Sequence, residues 1–304
     1  MQRPRSALRT AIAVLMSAVL VGACVAKDHG VLASRPANRD VTPLAAQQPI
    51  PDTSPPSATA LDGLESRIRQ ATLQAAKSGA EISVTVVDRV TGKTVSNGDN
   101  SPFPIASVAK LFIADDLLLQ EARGQTRLSP ADRTAFEVML RSSDDNAAEN
   151  FWNRSGGSAI ITRVTQRYGL ADTTTPYNGR WFNTLSTAND LVRYYDMLLD
   201  GSGGLPPDRA NIILSNLAKS TPTGIDGYSQ RFGIPDGLYT APVAVKQGWM
   251  CCWNGPNWMH MSTGAIGWDR RYVMAIGSLQ PSDDTTARNT ITQAVKTMFP
   301  NGRI

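Results

Sequence analysis

Two groups of strand-like segments, separated by a long helical block, constrain the fold of this chain most strongly. The first group is an apolar, β-branched run at 81–88 that returns as a second strand at 93–97 after a Thr91-Gly92 turn. The second group comprises three segments near the C-terminus, at 243–246, 258–266 and 271–279. Because the backbone groups of a strand need hydrogen-bonded neighbours, we expect both groups to pair in one antiparallel sheet.

Helical segments flank and divide these strands. Apolar residues at helical spacing predict a helix over 61–77, and a closing helix is predicted over 284–299. The residues with this spacing in the first helix are Leu64, Ile68, Ala71 and Leu73. The block between the two strand groups is mostly helical, with breaks at Gly156-Gly157 and Pro176. We therefore predict an α/β (α+β) fold, with a five-stranded antiparallel sheet, the terminal helices on one face and an inserted all-helical subdomain on the other.

The N-terminus has the pattern of an export signal. Arginines at 3, 5 and 9 precede an apolar stretch at 11–21 and the sequence Val21-Gly22-Ala23-Cys24. The apolar stretch is shorter than a bilayer span requires. We interpret 1–23 as a lipoprotein signal peptide and Cys24 as the lipidated residue, which would anchor the protein to the outer face of the cell membrane. The alternative is an ordinary signal peptide in which a cysteine falls at this place by chance.

Composition divides the rest of the chain. Residues 24–58 mix Pro, Ser and Ala without periodicity, which is typical of a tether. Residues 59–304 form the predicted domain, with a sheet part at 59–104 and 240–304 and a helical part at 105–239. The net charge is +4, but no basic run is interleaved with aromatic residues, so we expect no nucleic-acid partner. The sequence gives no indication of the oligomeric state.

Two cysteines remain if Cys24 is acylated, and these two, Cys251 and Cys252, are adjacent. Adjacent Cα atoms lie about 3.8 Å apart, closer than the usual disulfide span. We therefore keep two alternatives, a vicinal disulfide and a pair of free thiols. The histidines, His29 and His260, are too few to complete a structural zinc cluster with this pair. We expect no metal and no cofactor.

Ser107-Val108-Ala109-Lys110 begins an apolar helix directly after the first two strands. Positions i and i+3 share a helix face, so the hydroxyl and the amine can meet. Serine becomes a good nucleophile when a neighbouring base takes its proton, and a lysine serves as that base when burial or another cation lowers its pKa. The same spacing also arises by chance, so this pair needs support from elsewhere in the chain.

Two further segments give that support. Ser142-Ser143-Asp144-Asp145-Asn146 lies in the helical block, and Lys246-Gln247-Gly248 lies on the first strand of the second group. In this order and on these elements, the three segments resemble the Ser-x-x-Lys, Ser-Asp-Asn and Lys-Thr-Gly motifs of the serine β-lactamases and penicillin-binding proteins. A more literal match to the third motif at 77–79 precedes the serine and ends a helix, so it is discounted. The signal sequence that ends in Val21-Gly22-Ala23-Cys24, followed by a tether, is also similar to that of mycobacterial lipoproteins of the LppW type.

The resemblance to the penicillin-binding proteins implies a role for each residue. Ser107 would be the acylated nucleophile, with Lys110 as its general base. Ser143 would pass a proton to the leaving nitrogen, and Lys246 would attract the substrate carboxylate and keep the pKa of Lys110 low. The backbone N–H groups of Ser107 and Trp249 would form the oxyanion hole. The substrate would be a peptidoglycan-derived peptide or another acyl compound.

The substrate-binding set would also include Asp145 or Asn146, Gln247 and Gly248, and here the sequence departs from the family. Asp145 stands where the family has Asn. A carboxylate cannot donate a hydrogen bond to a substrate carbonyl, and it stabilises the charged form of Lys110. If the alignment with the family motif is shifted by one residue, Asn146 takes this position and supplies the amide. Gln247 replaces a hydroxyl residue but keeps a hydrogen-bond donor.

The loop at 173–183 lacks the Glu that class A β-lactamases use to activate the hydrolytic water. Its absence argues against an efficient β-lactamase of that class. Two hypotheses remain. The first is a D,D-peptidase-like or esterase-like hydrolase that forms an acyl intermediate on Ser107, and the second is a catalytically degenerate cell-envelope binding protein on the same fold. The tryptophans at 249, 253 and 258 either pack against the core or form a platform for sugar or peptide beside the cleft.

Overall fold

The structure is a computed structural model, and it describes residues 61–304 of the chain. The predicted signal peptide at 1–23, the predicted lipidation site Cys24 and the predicted tether at 24–58 lie outside the described residues. Within 61–304, no helix is both long enough and apolar enough to cross a membrane.

The described chain alternates helices with the strands of two sheets. The strands are β1 (Glu81–Asp88), β2 (Lys93–Ser96), β3 (Phe103–Pro104), β4 (Leu185–Ser186), β5 (Val243–Trp253), β6 (Asn257–Ile266) and β7 (Tyr272–Gln280). The α-helices are α1 (Leu64–Lys77), α2 (Lys110–Ala122), α3 (Pro130–Arg141), α4 (Asp145–Arg154), α5 (Ala159–Tyr168), α6 (Ala188–Asp200), α7 (Pro207–Leu217), α8 (Ile234–Gly237) and α9 (Asp284–Met298). Short 3-10 helices lie at Ala106–Ala109 and Trp181–Asn183.

Five of these strands form one antiparallel sheet in the order β2-β1-β7-β6-β5. The central pairing joins the two ends of the chain, with Val84 of β1 opposite Ile276 of β7. At one edge, Lys246 of β5 lies opposite Thr263 of β6. The prediction that the two strand groups pair in one antiparallel sheet is confirmed.

The edge strand β5 is longer than the sequence predicted, because it runs to Trp253 instead of ending at Lys246. Beyond Lys246 it stays paired with β6, with Trp249 opposite His260, until the register shifts between Met250 and Trp253. The β-branched pattern stops at Val245, so local propensity could not reveal the extension.

Different parts of the chain cover the two faces of the sheet. On one face, α1 and α9 pack against β1 and β7 through buried residues such as Ile68 and Ile291. Leu73 was expected on the buried side of α1 but is exposed, and Ala75 is buried instead. On the other face, the helical block forms a second core around α2, which is buried on every side from Lys110 to Leu119. This complete burial accounts for the mostly apolar sequence of α2, in which Asp115 and Asp116 are also buried, and it places Lys110 inside the molecule.

Candidate active site

Ser107 lies in a tight turn that leads into α2. Its 3-10 helix, Ala106–Ala109, continues directly into α2, so Ser107 and Lys110 lie on one side of a continuous helical segment. The preceding residue, Ala106, has a φ of 44°, in the left-handed region that residues with a Cβ rarely adopt. Backbone strain of this kind clusters at functional sites, where the surrounding structure maintains it.

Lys110 places its amine at the centre of the site. Its Nζ donates to the Ser107 hydroxyl oxygen over 2.9 Å, to the Ser143 carbonyl oxygen over 2.6 Å and to the Ser143 hydroxyl over 3.1 Å. The same Nζ lies 2.6 Å from the Asp145 carboxylate and 4.8 Å from the centre of the Trp181 ring. These contacts put the amine within reach of the Ser107 proton.

Ser143 links the two lysines of the site. It lies between α3 and α4 with a φ of 59°, and Asp144 beside it caps α4 by accepting a backbone hydrogen bond over 2.9 Å. In this left-handed turn, both the carbonyl and the hydroxyl of Ser143 face Lys110. The Nζ of Lys246 donates to the same hydroxyl over 2.9 Å. Ser107, Lys110, Ser143 and Lys246 therefore form one continuous hydrogen-bonded chain.

Both lysines are buried amines, and burial disfavours their charged form. Lys246 is 1% exposed, and its second hydrogen bond goes to the Gln247 carbonyl over 3.3 Å. Burial, reinforced by the positive charge of Lys110, lowers the pKa of Lys246 well below its ordinary value. Burial also lowers the pKa of Lys110, and the charge of Asp145 opposes this decrease without reversing it. A lowered pKa is what a lysine needs to act as a general base near neutral pH.

Asp145, and not Asn146, has its side chain on Lys110. Asp145 is the first residue of α4, and its carboxylate pairs with Lys110 while 72% of the side chain remains exposed. Asn146 follows it in the first turn of α4 and is exposed. The contact favours the alignment Ser143-Asp144-Asp145 over the slip of one residue to Asn146. A carboxylate therefore lies where the family has an amide.

Gln247 does not reach the cleft, contrary to the prediction that it contacts substrate. Successive side chains of a strand point to opposite faces of the sheet, and Lys246 points toward the helical block. Gln247 is fully buried on the other face, where its amide donates to the carbonyls of Phe232 over 2.6 Å and Gln230 over 3.3 Å. This side chain ties the 230–232 segment to the sheet.

Gly248 allows β5 to approach the turn that carries the nucleophile. A Cβ at this position would lie 2.4 Å from the backbone carbonyl oxygen of Ile105, a separation that real contacts do not show. Only glycine fits without a shift of the backbone. The close approach brings Trp249 and Ser107 to the lining of one cavity, and their backbone N–H groups are the predicted oxyanion donors.

A cavity of about 240 Å³ lies beside Ser107. Two carboxylates and three aromatic side chains contribute to its walls. The lining residues are Ala106, Ser107, Asp145, Trp181, Phe182, Asp226, Trp249 and Met250. Trp181, Phe182 and Asp226 belong to none of the three motifs, and tertiary structure alone brings them to the site. The adjacent aromatic pair in the 173–183 loop was the one local signal.

The loop without a Glu contributes a tryptophan to the site. Trp181 is 3% exposed and lies against the amine of Lys110. Its indole N–H donates to the Glu149 carboxylate over 3.1 Å, and the other oxygen of Glu149 accepts from Asn153. An indole ring cannot act as the base for a hydrolytic water, so this wall of the cavity differs in chemistry from that of a class A β-lactamase.

Trp249 also belongs to a stack of aromatic rings beside the cavity. Tyr228 stacks on Trp249 with ring centres 4.6 Å apart, and Trp258 and His260 extend the stack. The Tyr228 hydroxyl lies 2.7 Å from Nε2 of His260, and burial lowers the pKa of His260 to about 4. Trp258 therefore packs within this stack, whereas Trp249 both packs and lines the cavity.

Cys251 and Cys252 form a vicinal disulfide in the structure, with Cα atoms 3.7 Å apart. Both residues are exposed on β5, next to the cavity residue Met250 and within the segment where the register with β6 shifts. Of the two alternatives left open by the sequence, the structure contains the disulfide.

Comparison with solved structures defines the class of fold. A β-lactamase from Chitinophaga pinensis DSM 2588 aligns over 78% of this chain and 98% of that chain, with a TM-score of 0.63 and 16% sequence identity. The structure of PBP-A aligns over 79% of this chain and 96% of that chain, with a TM-score of 0.63 and 20% identity. A sequence model of the "Beta-lactamase enzyme family" matches residues 63–134, which include Ser107 and Lys110. The domain has the β-lactamase fold that the three motifs predicted.

Two curated relatives identify the family more closely. "Putative lipoprotein LppW" of Mycobacterium tuberculosis (strain ATCC 25618 / H37Rv) is 67% identical over 241 residues, which are 79% of this chain and 76% of that protein. The protein of the same name from Mycobacterium bovis (strain ATCC BAA-935 / AF2122/97) matches with the same identity and coverage. The chain belongs to the LppW family of mycobacterial lipoproteins, and the resemblance found in the sequence is confirmed.

Proposed function

We propose that this protein is a serine hydrolase that forms a covalent acyl-enzyme on Ser107 and is esterase-like in its choice of substrate. The observation that carries the proposal is the 2.9 Å contact between the Ser107 hydroxyl and the buried amine of Lys110. Burial lowers the pKa of Lys110 and so favours the neutral amine, the form that accepts a proton. A mutant of PBP-A, which shares the fold, has been solved as an acyl-enzyme complex with penicillin G.

In the proposed acylation, Lys110 takes the Ser107 proton as the Ser107 oxygen bonds to the carbonyl carbon of the substrate. Negative charge develops on the carbonyl oxygen, where the backbone N–H groups of Ser107 and Trp249 would stabilise it. The bond to the leaving group then breaks, and the Ser143 hydroxyl donates a proton to that group. Ser143 recovers a proton from Lys110, whose Nζ is 3.1 Å away. Lys110 is thereby returned to its neutral form, and the acyl group remains on Ser107.

Two features support ester cleavage over D,D-peptidase or efficient β-lactamase activity. A D,D-peptidase-like reaction needs groups that hold the terminal carboxylate of the substrate, and Gln247 is turned to the opposite face of the sheet. An efficient class A β-lactamase needs a base for the hydrolytic water, and the loop at 173–183 contains no Glu. Esters also have a leaving group that departs with less help from an acid than an amine needs.

Labelling with activity-based probes tests the proposal. A fluorescent fluorophosphonate should label the protein strongly, and a fluorescent penicillin should label it more weakly because of its carboxylate. Ser107→Ala should abolish labelling by both probes. Ser78→Ala removes an exposed serine beside Lys77 and should label like the wild type. A folded wild-type protein that reacts with neither probe would contradict the proposal.

A catalytically degenerate cell-envelope binding protein is the second candidate function. The Asp145 carboxylate favours this second function. It lies 2.6 Å from the Lys110 amine and stabilises its charged form, which cannot accept a proton. The same labelling experiment separates the two functions, since a degenerate protein would be folded but unreactive. Recovery of labelling in Asp145→Asn would then identify this carboxylate as the cause of the loss.

We also propose that the protein is exported and anchored to the outer face of the cell membrane through a lipidated Cys24, with the domain at 59–304 held by the segment 24–58. The Val21-Gly22-Ala23-Cys24 sequence and the lipoprotein name of the 67%-identical relatives support this. The wild type should fractionate with membranes, and Cys24→Ala should be soluble or unprocessed. Membrane retention of a Cys24→Ala protein whose signal is still cleaved would contradict lipidation.

A further inference from the structure

The cavity beside Ser107 presents negative charge and aromatic surface. Asp145 and Asp226 contribute its two carboxylates. Trp181, Phe182 and Trp249 contribute aromatic rings, and none of the described residues that line the cavity is an arginine or a lysine. The negative charge of these walls would repel a substrate that carries a carboxylate.

The two lysines of the site add little positive surface to the cavity. Lys110 and Lys246 are 0% and 1% exposed. The charge of Lys110 is matched by Asp145 at 2.6 Å. The Lys246 amine donates to the Ser143 hydroxyl and to a backbone carbonyl, within the core of the site. A group that enters the cavity therefore meets the exposed carboxylates before it meets either amine.

Asp226 is the cavity carboxylate that forms no direct ion pair within residues 61–304. It lies exposed in the turn before Tyr228, whose backbone N–H donates to it over 3.0 Å. Over the described range 61–304, no arginine or lysine forms an ion pair with Asp226. The guanidinium of Arg288 lies over the Tyr228 ring at 5.2 Å but is paired with Asp284. Asp226 acts on the buried amines of Lys110 and Lys246 only through its charge, so its exposed carboxylate can contact a cation in the cavity directly.

We propose that this cleft selects acyl substrates that carry an alkylammonium group and disfavours those that carry a carboxylate. The inference rests on the proposed acylation of Ser107 and names the substrate class for that reaction. An ammonium group is attracted both by aromatic rings and by carboxylates, and the attraction is stronger where water is partly excluded. At about 240 Å³ the cavity is smaller than a typical drug-sized site, so it fits a short acyl chain with a small cationic head.

Three p-nitrophenyl esters test the charge preference at nearly constant shape. Their acyl chains have the same length and end in trimethylammonium, tert-butyl or carboxylate, and each rate is corrected for the reactivity of the ester with hydroxide. We expect kcat/KM for the cationic ester to exceed that of its neutral isostere roughly tenfold, with the carboxylate ester the poorest substrate. A ratio of one or below would overturn the proposal.

Two variants locate the source of the preference. Asp226→Asn should reduce the ratio of cationic to neutral kcat/KM to roughly threefold or less, because the aromatic rings remain while one carboxylate charge is lost. Asp208→Asn is the matched control, since it removes an exposed acid of α7 that does not line the cavity. An equal change of the ratio in both variants would assign the preference to the overall charge of the protein and overturn the site.

Binding without turnover separates a failure of this inference from a failure of the proposed reaction. Ser107→Ala cannot form an acyl-enzyme, and it can be titrated calorimetrically with choline and with the neutral isostere 3,3-dimethylbutanol. We expect choline to bind roughly fivefold more tightly, and Asp226→Asn in the same background to remove most of the difference. Preferential choline binding without ester hydrolysis by the wild type would support the cation site and refute the Ser107 reaction. Equal binding of the two probes would overturn the cation site.

Discussion

Replacement of Lys246 by methionine should make the protein more stable and, at the same time, much less reactive. Lys246 is 1% exposed, and within residues 61–304 it forms no ion pair. Its buried amine donates two hydrogen bonds, to the Ser143 hydroxyl and the Gln247 carbonyl, and the carboxylates of Asp145 and Asp226 act on it only through their charge. Methionine has a similar length and no charge, so it can fill the same space.

The expected change in the free energy of unfolding on Lys246→Met follows from two opposing contributions. Burial of an ammonium ion costs several kcal/mol of folding free energy, and the two hydrogen bonds to the charged group return about 3 kcal/mol. We expect a net stabilisation of about 2 kcal/mol, which corresponds to roughly 4–8 °C in Tm for a domain of this size. The pKa of Lys246 is lowered in the folded protein, so its charge opposes folding most at low and neutral pH. The gain should therefore shrink as the pH rises and vanish above about 10.4, where the amine is neutral in the unfolded chain as well.

Thermal unfolding followed by circular dichroism between about pH 6 and pH 10 measures this effect. Lys219→Met is the control, since it removes an exposed ammonium and should shift the free energy of unfolding by less than about 0.5 kcal/mol. Labelling of Lys246→Met by the fluorophosphonate should slow roughly 100-fold, because the Ser143 hydroxyl loses the hydrogen bond that the Lys246 amine donates to it. A lower Tm, or a gain that persists undiminished above about pH 10.4, would refute the reasoning.

Three further predictions concern the same site. Gly248→Ala should destabilise the domain by about 1–3 kcal/mol and abolish labelling, because the new Cβ would lie 2.4 Å from the Ile105 carbonyl oxygen; an unchanged melting curve would contradict the close approach. Asp145→Asn should move the acid limb of the pH–rate profile for acylation to lower pH, since the carboxylate raises the pKa of Lys110, and a shift to higher pH would contradict that sign. A p-nitrophenyl ester should give a burst of about one equivalent of p-nitrophenol and then slow turnover, with the acyl mass on Ser107; a linear time course would show that deacylation is fast.

The sheet was predictable from the sequence because its strands satisfy simple local rules. The β-branched run of β1 and the turn at Thr91-Gly92 are strong signals of a hairpin, and the terminal helices have the apolar spacing that buries one face. The end of β5 was not predictable, because pairing with β6 carries the strand through Gly248 and the adjacent cysteines, where local propensity for strand is low. Tertiary hydrogen bonding determines the length of that strand.

The candidate site was predictable only where residues belong to motifs. The order of the motifs singled out Ser107, Lys110, Ser143 and Lys246, and the structure brings these four side chains into contact. The orientation of Gln247 follows from strand alternation once Lys246 is placed in the cleft, but its partners at 230–232 do not. Asp226 is an ordinary loop residue in the sequence, and only the fold places its carboxylate in the cavity.

The two half-reactions of the proposed enzyme should be unequal, and this inequality can be tested with an added nucleophile. Acylation requires the contact between Ser107 and Lys110, which the structure contains, whereas transfer to water requires a positioned water with its own base. The wall that would supply that base holds Trp181, and the nearby Glu149 accepts hydrogen bonds from Trp181 and Asn153. A neutral amine needs no such base, since it is a stronger nucleophile than water and attacks the acyl-enzyme directly. The slow phase of p-nitrophenol release should therefore accelerate in proportion to added amine, with an amide as the new product. A slow phase that is insensitive to amines would show that access to the acyl group, and not the missing base, limits its removal.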